Sequence, residues 1–496
     1  MTDTLCMVMA GGRGSRLGPL TCHRAKPATP FGGRYRIIDF VLSNFINSGY
    51  RQIYVLTQYM ASSLIKHLNR TWHLNGGFND FLEVAPAQMR AGEHWYRGTA
   101  DAVYQNLNLI NDARPKHVAI FGGDHIYKFA VDQMERAHKE WDADLTIAAF
   151  TVPREEAYRF GVIKVDERGR IQGFQEKPSS DPYTLPNDPS RCLVSMGNYF
   201  FKVETLRSSL YELAQTSRRH AHDFGGDVIP RLLDGGAALY AYQVTDNRIP
   251  GEPADAPAYW RDVGTLDSYF DAQMDVRSNL PTLNLYNRSW RVRSAQRDYP
   301  PARFVSDPTR EAQQVRDSLI CEGSIISGAA LDRSLIGYDC FVHGGGQLSE
   351  VVTMSGCNIG VDAHLRRVLM DKNSSIAPRA QLGLDPARDQ ERFPFITPRG
   401  VIVLPKGTHV PAEGPIELAE DIAELLLSDA ALKPKLDELP MGFVVARGRF
   451  RHSYTSAGPR YLRYRGDDPS AFRPGQEPAE EALAHTLNTQ ESPDSE

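Results

Sequence analysis

The stretch Leu5-Cys6-Met7-Val8-Met9-Ala10-Gly11-Gly12-Arg13-Gly14-Ser15-Arg16-Leu17 decides the fold. Its first five residues are apolar and end at a glycine-rich turn, which reads as a buried strand entering a loop. Such a turn between a strand and a helix offers backbone N–H groups to an anion. Arg13 and Lys26, the latter followed by Pro27, add positive charge where a phosphate would sit. A plain turn is the alternative. The spacing is neither that of a P-loop nor Gly-x-Gly-x-x-Gly, so a P-loop kinase and a dehydrogenase are disfavoured.

Working outward, Ile53–Leu56, Val118–Phe121 and Leu145–Phe150 are further strand candidates, with helical patterns at Ala102–Asp112 and Val131–Glu140 between them. This alternation predicts an α/β domain, Rossmann-like, with a mostly parallel sheet. Ligands of such sheets sit at the carboxyl ends of the strands. Gly122-Gly123-Asp124 lies at one such end, where Asp124 is placed either to hold Mg²⁺ near phosphates or to cap a helix. Asp262, in Tyr259-Trp260-Arg261-Asp262-Val263-Gly264-Thr265, is a second carboxylate that would complete a metal site.

The chain has 496 residues, enough for two or three domains and a large core without disulfides. Its 56 Lys and Arg against 61 Asp and Glu give a net charge of −5, which argues against a nucleic-acid partner held by bulk charge. None of the six cysteines forms a Cys-x-x-Cys pair, and zinc spacing is absent. No run approaches the roughly 18 apolar residues of a membrane span, and no signal peptide precedes Leu5. These features predict a cytoplasmic protein with no membrane partner.

Residues 1–275 form the first domain, and residues 276–315, rich in Asn, Pro and Arg, read as a linker. From 316 to 410 three apolar stripes recur every 16 or 17 residues: Ile320, Ile336, Val352, Leu369; Ile326, Val342, Ile359, Ile376; and Leu331, Leu348, Leu365, Leu382. Three stripes on one period predict a three-faced parallel β-helix whose turns stack on one another. Residues 411–496 read as an extension, with one helix over Ile416–Leu427 and a disordered last 30 residues rich in Pro, Glu, Ser and Thr.

Further motifs occur in order: Phe31-Gly32-Gly33-Arg34-Tyr35-Arg36-Ile37-Ile38-Asp39-Phe40, Trp95-Tyr96-Arg97-Gly98-Thr99-Ala100-Asp101-Ala102-Val103, Gly123-Asp124-His125-Ile126-Tyr127, Phe174-Gln175-Glu176-Lys177-Pro178, Ser195-Met196-Gly197 and His222-Asp223-Phe224-Gly225. With the glycine loop and the Asp262 segment, the chain from about residue 5 to 405 resembles the sugar-phosphate nucleotidyltransferases. More narrowly it resembles the bacterial glucose-1-phosphate adenylyltransferases, in which a left-handed β-helix follows the catalytic domain.

The resemblance implies transfer of AMP from ATP to α-D-glucose 1-phosphate, giving ADP-glucose and pyrophosphate for glycogen synthesis. It implies Mg²⁺ on Asp124 and Asp262, with Arg13 and Lys26 stabilising the pyrophosphate. Gly11, Gly12, Gly14, Gly98 and Thr99 would bind the nucleotide, and Gln88 would read its base. Lys177 would bind the sugar phosphate. Glu176, Ser195 and Asp223 would bond sugar hydroxyls, and Tyr96 and Gly161 would line that pocket. Gln58 and Trp95 match positions that the family couples to activation. A homotetramer is implied, with phosphorylated effectors at His23, Arg24, Arg36 and Arg367.

The chain departs from the family at His23, where many members carry Lys or Arg, and at Pro30, where enteric-type enzymes carry His. A titratable His23 predicts activator binding that strengthens as pH falls toward about 6.5. Other readings are a nucleotidyltransferase for another nucleotide sugar, a non-catalytic regulatory subunit, and an acyltransferase using His343 or His364 of the β-helix as base.

Overall fold

The computed structural model describes residues 3–74, 80–216, 222–306, 314–447, 450–455 and 458–464. The first unit is built on a nine-stranded sheet: β1 (Thr4–Met9), β2 (Gln52–Thr57), β3 (Phe81–Pro86), β4 (His117–Gly122), β5 (Leu145–Pro153), β6 (Gly161–Val165), β7 (Ile171–Glu176), β8 (Arg191–Lys202) and β9 (Leu239–Gln243). Its path runs β7-β6-β8-β4-β1-β2-β3, with β5 on β8 and β9 on β5. The block β4-β1-β2-β3 is parallel, as is β9 on β5, and β8 joins antiparallel. β1 lies inside the block and is buried on both faces, which is why it reads as one apolar run rather than an alternating one. Parallel order puts the carboxyl ends of β1, β2 and β4 at one edge, so Ala10–Gly14 and Gly122–Asp124 open side by side.

The β-helix follows. Its registers reproduce two of the three stripes, Ile326↔Val342↔Ile359↔Ile376 and Leu331↔Leu348↔Leu365↔Leu382. The first stripe is corrected by one residue: Ile336 pairs with Thr353, and Leu335 with Val352, which pairs with Leu369. Leu335 and Ile336 are both buried, so hydrophobicity alone does not choose between them. The coil also begins earlier than expected. Arg303–Val305 already pairs with Ile325–Ser327, so part of the expected linker is sheet. Trp290, within the linker, is buried and donates from Nε1 to Asn44 Oδ1 at 3.1 Å.

The extension differs more. The single helix expected over Ile416–Leu427 is a strand, Ile416–Ala419, and then a helix, Glu420–Ser428. Ile416 and Leu418 alternate inward at period two and continue the coil's sheet, whereas Glu420 and Asp421 provide the acidic first turn that favours a helix start. Strands Phe443–Arg447, Phe450–Thr455 and Gly458–Tyr464 add to that sheet. The disorder expected for the last 30 residues lies outside the described residues. One apolar core runs from Leu17, Leu20 and Cys22 of the first unit through the β-helix to Ile422, Leu426 and Leu432.

Ile359 is fully buried between Val342 and Ile376. Ile359→Ala should cost about 2–5 kcal/mol through lost contact and a cavity, read as a lowered midpoint in urea unfolding of the β-helix signal. An unchanged midpoint would mean the stacked core does not carry the coil.

Candidate active site

Three segments converge at the carboxyl edge of the sheet. The strand Trp260–Arg261 pairs antiparallel with Ile126–Tyr127, and this carries Asp262 next to Asp124. Lys26 sits between them on the short turn Lys26–Ala28, and its Nζ donates to Asp124 Oδ2 at 3.0 Å and Asp262 Oδ1 at 3.1 Å. Burial pushes both carboxyls up, but the Lys26 ammonium and nearby His125 outweigh it and leave both below the ordinary range. Burial opposes the Lys26 ammonium too, and its two carboxylates hold it raised. Arg159 Nη2 donates to Asp262 Oδ2 at 2.8 Å.

The cavity beside this cluster holds about 610 Å³, within the range of small-molecule sites. Gly11, Gly12, Arg13 and Gly14 line it, with Lys26 and Asp124. Tyr96, Gly98, Thr99, Lys177 and Asp223 line it as well. Asp223 Oδ1 accepts from the Thr99 N–H at 2.9 Å and from Thr99 Oγ1 at 3.0 Å. The approach is possible because residue 98 is glycine: a Cβ there would meet the His222 carbonyl at 2.4 Å. Gln58 clamps the Tyr96 backbone, accepting from its N–H at 2.7 Å and donating to its carbonyl at 3.2 Å. Lys177 has a left-handed backbone, φ 44°, and its Nζ lies 2.8 Å from Glu176 Oε1. Strain of that kind at a non-glycine residue gathers at functional sites.

Other expected residues lie just behind. Gly161 and Gly225 leave space for Glu176, whose Oε2 would be 3.1 and 2.3 Å from a Cβ at either. Ser195 Oγ accepts from the Gly197 N–H at 3.1 Å. Gln88 is not among the lining residues and accepts from Arg90 Nε at 3.1 Å. Asp262 is not among the lining residues; it stands behind Lys26 and His125, which are. Two carboxylates side by side are hard oxygen donors of the kind that hold a divalent cation, and here the Lys26 ammonium stands between them. Among the described residues no three His, Cys, Asp or Glu are grouped to hold a metal alone, so the remaining ligands would come from substrate phosphates.

Residues 5–279 match the nucleotidyl transferase family and residues 300–404 the GlmU-like C-terminal hexapeptide family. A glucose-1-phosphate adenylyltransferase 1 of Vibrio vulnificus (strain YJ016) is 44% identical over 410 residues, 83% of this chain and all of the relative. The Paraburkholderia phymatum glucose-1-phosphate adenylyltransferase is 46% identical over 403 residues, 81% of this chain and 94% of its own. That of Deinococcus radiodurans is 45% identical over 408 residues, 81% and 98%. The chain belongs to the glucose-1-phosphate adenylyltransferase family.

In this family member the expected effector residues divide. Arg24 is buried and donates from Nη2 to both oxygens of Asp371, at 2.7 and 2.6 Å, across the junction of catalytic unit and β-helix. Arg36, Arg297 and Lys372 are electrostatic neighbours there. Arg367 is elsewhere: it donates to Glu350 Oε2 at 2.9 Å and to the Arg399 carbonyl, and lies over the Phe270 ring. Arg24 and Arg36 thus gather with Arg297 and Lys372, and Arg367 does not join them. The expectation for His23 is corrected. Burial, then Arg24, push it down to about 4, and its Nε2 accepts from Arg24 Nε at 3.0 Å, so it stays neutral near pH 7. Burial, then Arg24 and Arg36, push Lys372 down to about 7.

Sequence reasoning missed Arg159, Arg297 and Lys372, none of which lies in a recognisable motif. His343 Nε2 lies 2.9 Å from Asn358 Oδ1 and its ring rests on Phe341, the setting of an anchored surface histidine.

Asp124→Asn keeps the shape of the side chain but removes the charge opposite Lys26. It should lower kcat by at least about tenfold, the weight of one charge-assisted contact, with the far-ultraviolet circular dichroism unchanged. A folded variant with normal kcat would remove Asp124 from the reacting set.

Proposed function

We infer that the protein transfers AMP from ATP to α-D-glucose 1-phosphate, forming ADP-glucose and pyrophosphate, a step of glycogen synthesis. The observation that carries this reading is the Lys26–Asp124–Asp262 cluster at the mouth of a glycine-rich loop. Lys177 lies on the same cavity, in a chain that belongs to this family. The sugar-phosphate oxygen attacks the α-phosphorus; the new P–O bond forms as the bond to pyrophosphate breaks. No protein nucleophile is required, so the residues act by positioning and charge.

In this reading the loop N–H groups of Gly11, Gly12 and Gly14 cradle the triphosphate, with Gly98 and Thr99 beside it. Lys26 spends two of its three N–H donors on Asp124 and Asp262, leaving one for a phosphate oxygen. Arg13 adds a second cation for the leaving pyrophosphate. Asp124 and Asp262 would hold Mg²⁺, which when bound neutralises phosphate charge. Lys177 binds the sugar phosphate as a point charge. Glu176, Ser195 and Asp223 receive sugar hydroxyls, and Tyr96 and Gly161 shape their pocket. Arg13, Lys26, Asp124 and Lys177 all line the one cavity, which favours a catalytic over a purely regulatory chain.

The decisive assay offers each nucleoside triphosphate with glucose 1-phosphate and follows pyrophosphate. ATP should be strongly preferred. Lys177→Gln should raise KM for glucose 1-phosphate roughly ten- to a hundredfold and KM for ATP little. Equal rises in both would place Lys177 on the nucleotide.

Regulation by a phosphorylated effector is part of the same proposal, at Arg24, Arg36, Arg297 and Lys372, with His23 at the rim. A homotetramer is proposed as well, and the exposed Leu280, Tyr286 and Phe304 offer apolar surface for it. Lys372 is the group there that titrates near neutrality, facing Arg24, Arg36, Arg297 and Asp371. Protonated Lys372 attracts the anion and the anion raises its pKa. Activation constants should therefore weaken as pH rises from about 6.5 to 8.5, and Lys372→Arg, always charged, should flatten the profile. An unchanged profile in Lys372→Arg would move the pH response to another group.

A further inference from the structure

The helix Glu420–Ser428 ends at Asp429, beyond residue 404 where the second family match stops. Asp429 Oδ2 accepts from Arg13 Nη2 at 3.0 Å, joining residues 416 apart in the chain. Its other oxygen, Oδ1, accepts from the Ala431 N–H at 2.9 Å, and its carbonyl accepts from the N–H groups of Leu432 and Lys433. The carboxylate is thus fixed by its own turn before Arg13 reaches it. Only 15% of its side chain is exposed, against 58% for Arg13. The turn is anchored in turn, because Leu432 packs beside Gly18, at the foot of the glycine loop, within the shared apolar core.

Arg13 has no other polar partner among the described residues; its remaining contact is the Tyr59 ring, 5.7 Å from Cζ. A long side chain on a glycine-rich loop, more than half exposed, would otherwise sample many rotamers. Asp429 is not among the residues lining the cavity, whereas Arg13 is. The acid therefore grips the guanidinium from outside the space a triphosphate would fill. The grip is through a single Nη2, and an arginine has five donors in a rigid fork, so the remaining ones stay free for phosphate.

We propose that Asp429 is a positioning residue of the nucleotide site: the C-terminal extension holds Arg13 oriented toward the triphosphate. The inference rests on the reading of this cavity as a nucleotidyltransferase site, but not on which nucleotide is used. A carboxylate that merely competed with phosphate for Arg13 would have the opposite signature, since removing it would tighten nucleotide binding without slowing the reaction.

The test uses the full chain and whichever triphosphate the wild-type protein turns over; failure of the wild type to release pyrophosphate with any triphosphate defeats the reading of the site, not this inference. Asp429→Asn should lower kcat about tenfold and leave KM for the sugar phosphate within about twofold, with Asp429→Glu recovering part of the loss. Arg13→Lys shortens the reach to Asp429, so Asp429→Asn should cost little further in that background. An equal cost in both backgrounds, a faster enzyme with lower KM for the triphosphate, or unchanged kinetics in Asp429→Asn would each overturn the proposal. Thermal midpoints of all variants separate loss of fold from loss of orientation: Asp429→Asn losing activity only in proportion to unfolded protein would also overturn it.

Discussion

The Lys26 ammonium holds the site together. Two carboxylates brought side by side in a partly buried edge repel each other, and each resists leaving water. Lys26 resolves both costs at once, 3.0 Å from one and 3.1 Å from the other. It also joins three distant parts of the chain: the turn after the glycine loop, the end of β4, and the segment entering the helix Leu266–Val276. The parallel sheet sets the stage by lining up strand ends, but it does not close the site. The ion cluster does, and the Arg159 bond to Asp262 keeps that carboxylate from swinging away.

What was readable in the sequence follows from the range of the signals. The buried strand Thr4–Met9 is a contiguous apolar run, and the Leu331 and Ile326 stripes repeat at a near-constant 16 or 17 residues, so both patterns show in the linear sequence. The Ile336 step failed because two adjacent buried residues satisfy the same pattern, and only hydrogen-bond register separates them. The helix expected from Ile416 failed because four residues can serve either period, and a neighbouring sheet edge captured them. The glycine loop, Lys26, Asp124 and Lys177 were legible through motifs. Arg159 was not, because nothing near it in sequence says that it will face Asp262, 103 residues away.

Charge states were the least legible of all. His23 looked like a pH-sensitive replacement for a fixed cation. Folding buries it beside Arg24, and a neutral ring that accepts a hydrogen bond is the cheaper state. The same crowding moves Lys372 into the range His23 vacates. Composition records both residues as ordinary; only the three-dimensional gathering of Arg24, Arg36 and Arg297 exchanges their roles. Asp371, 347 residues from Arg24, makes that gathering tolerable by compensating one of the guanidinium charges.

A shared core makes these separate clusters parts of one body. Leu17, Leu20 and Cys22 belong to the same apolar cluster as the β-helix and the helix Glu420–Ser428. Arg24 lies two residues from Cys22, and Arg13 four residues before Leu17. The segment between them is therefore held at one end by Asp429 and at the other by Asp371, both supplied by residues beyond the catalytic sheet. Close-packed interiors do not deform continuously. The turn Ser15–Leu20 lies between these two ends, and Leu432 of the extension packs beside its Gly18.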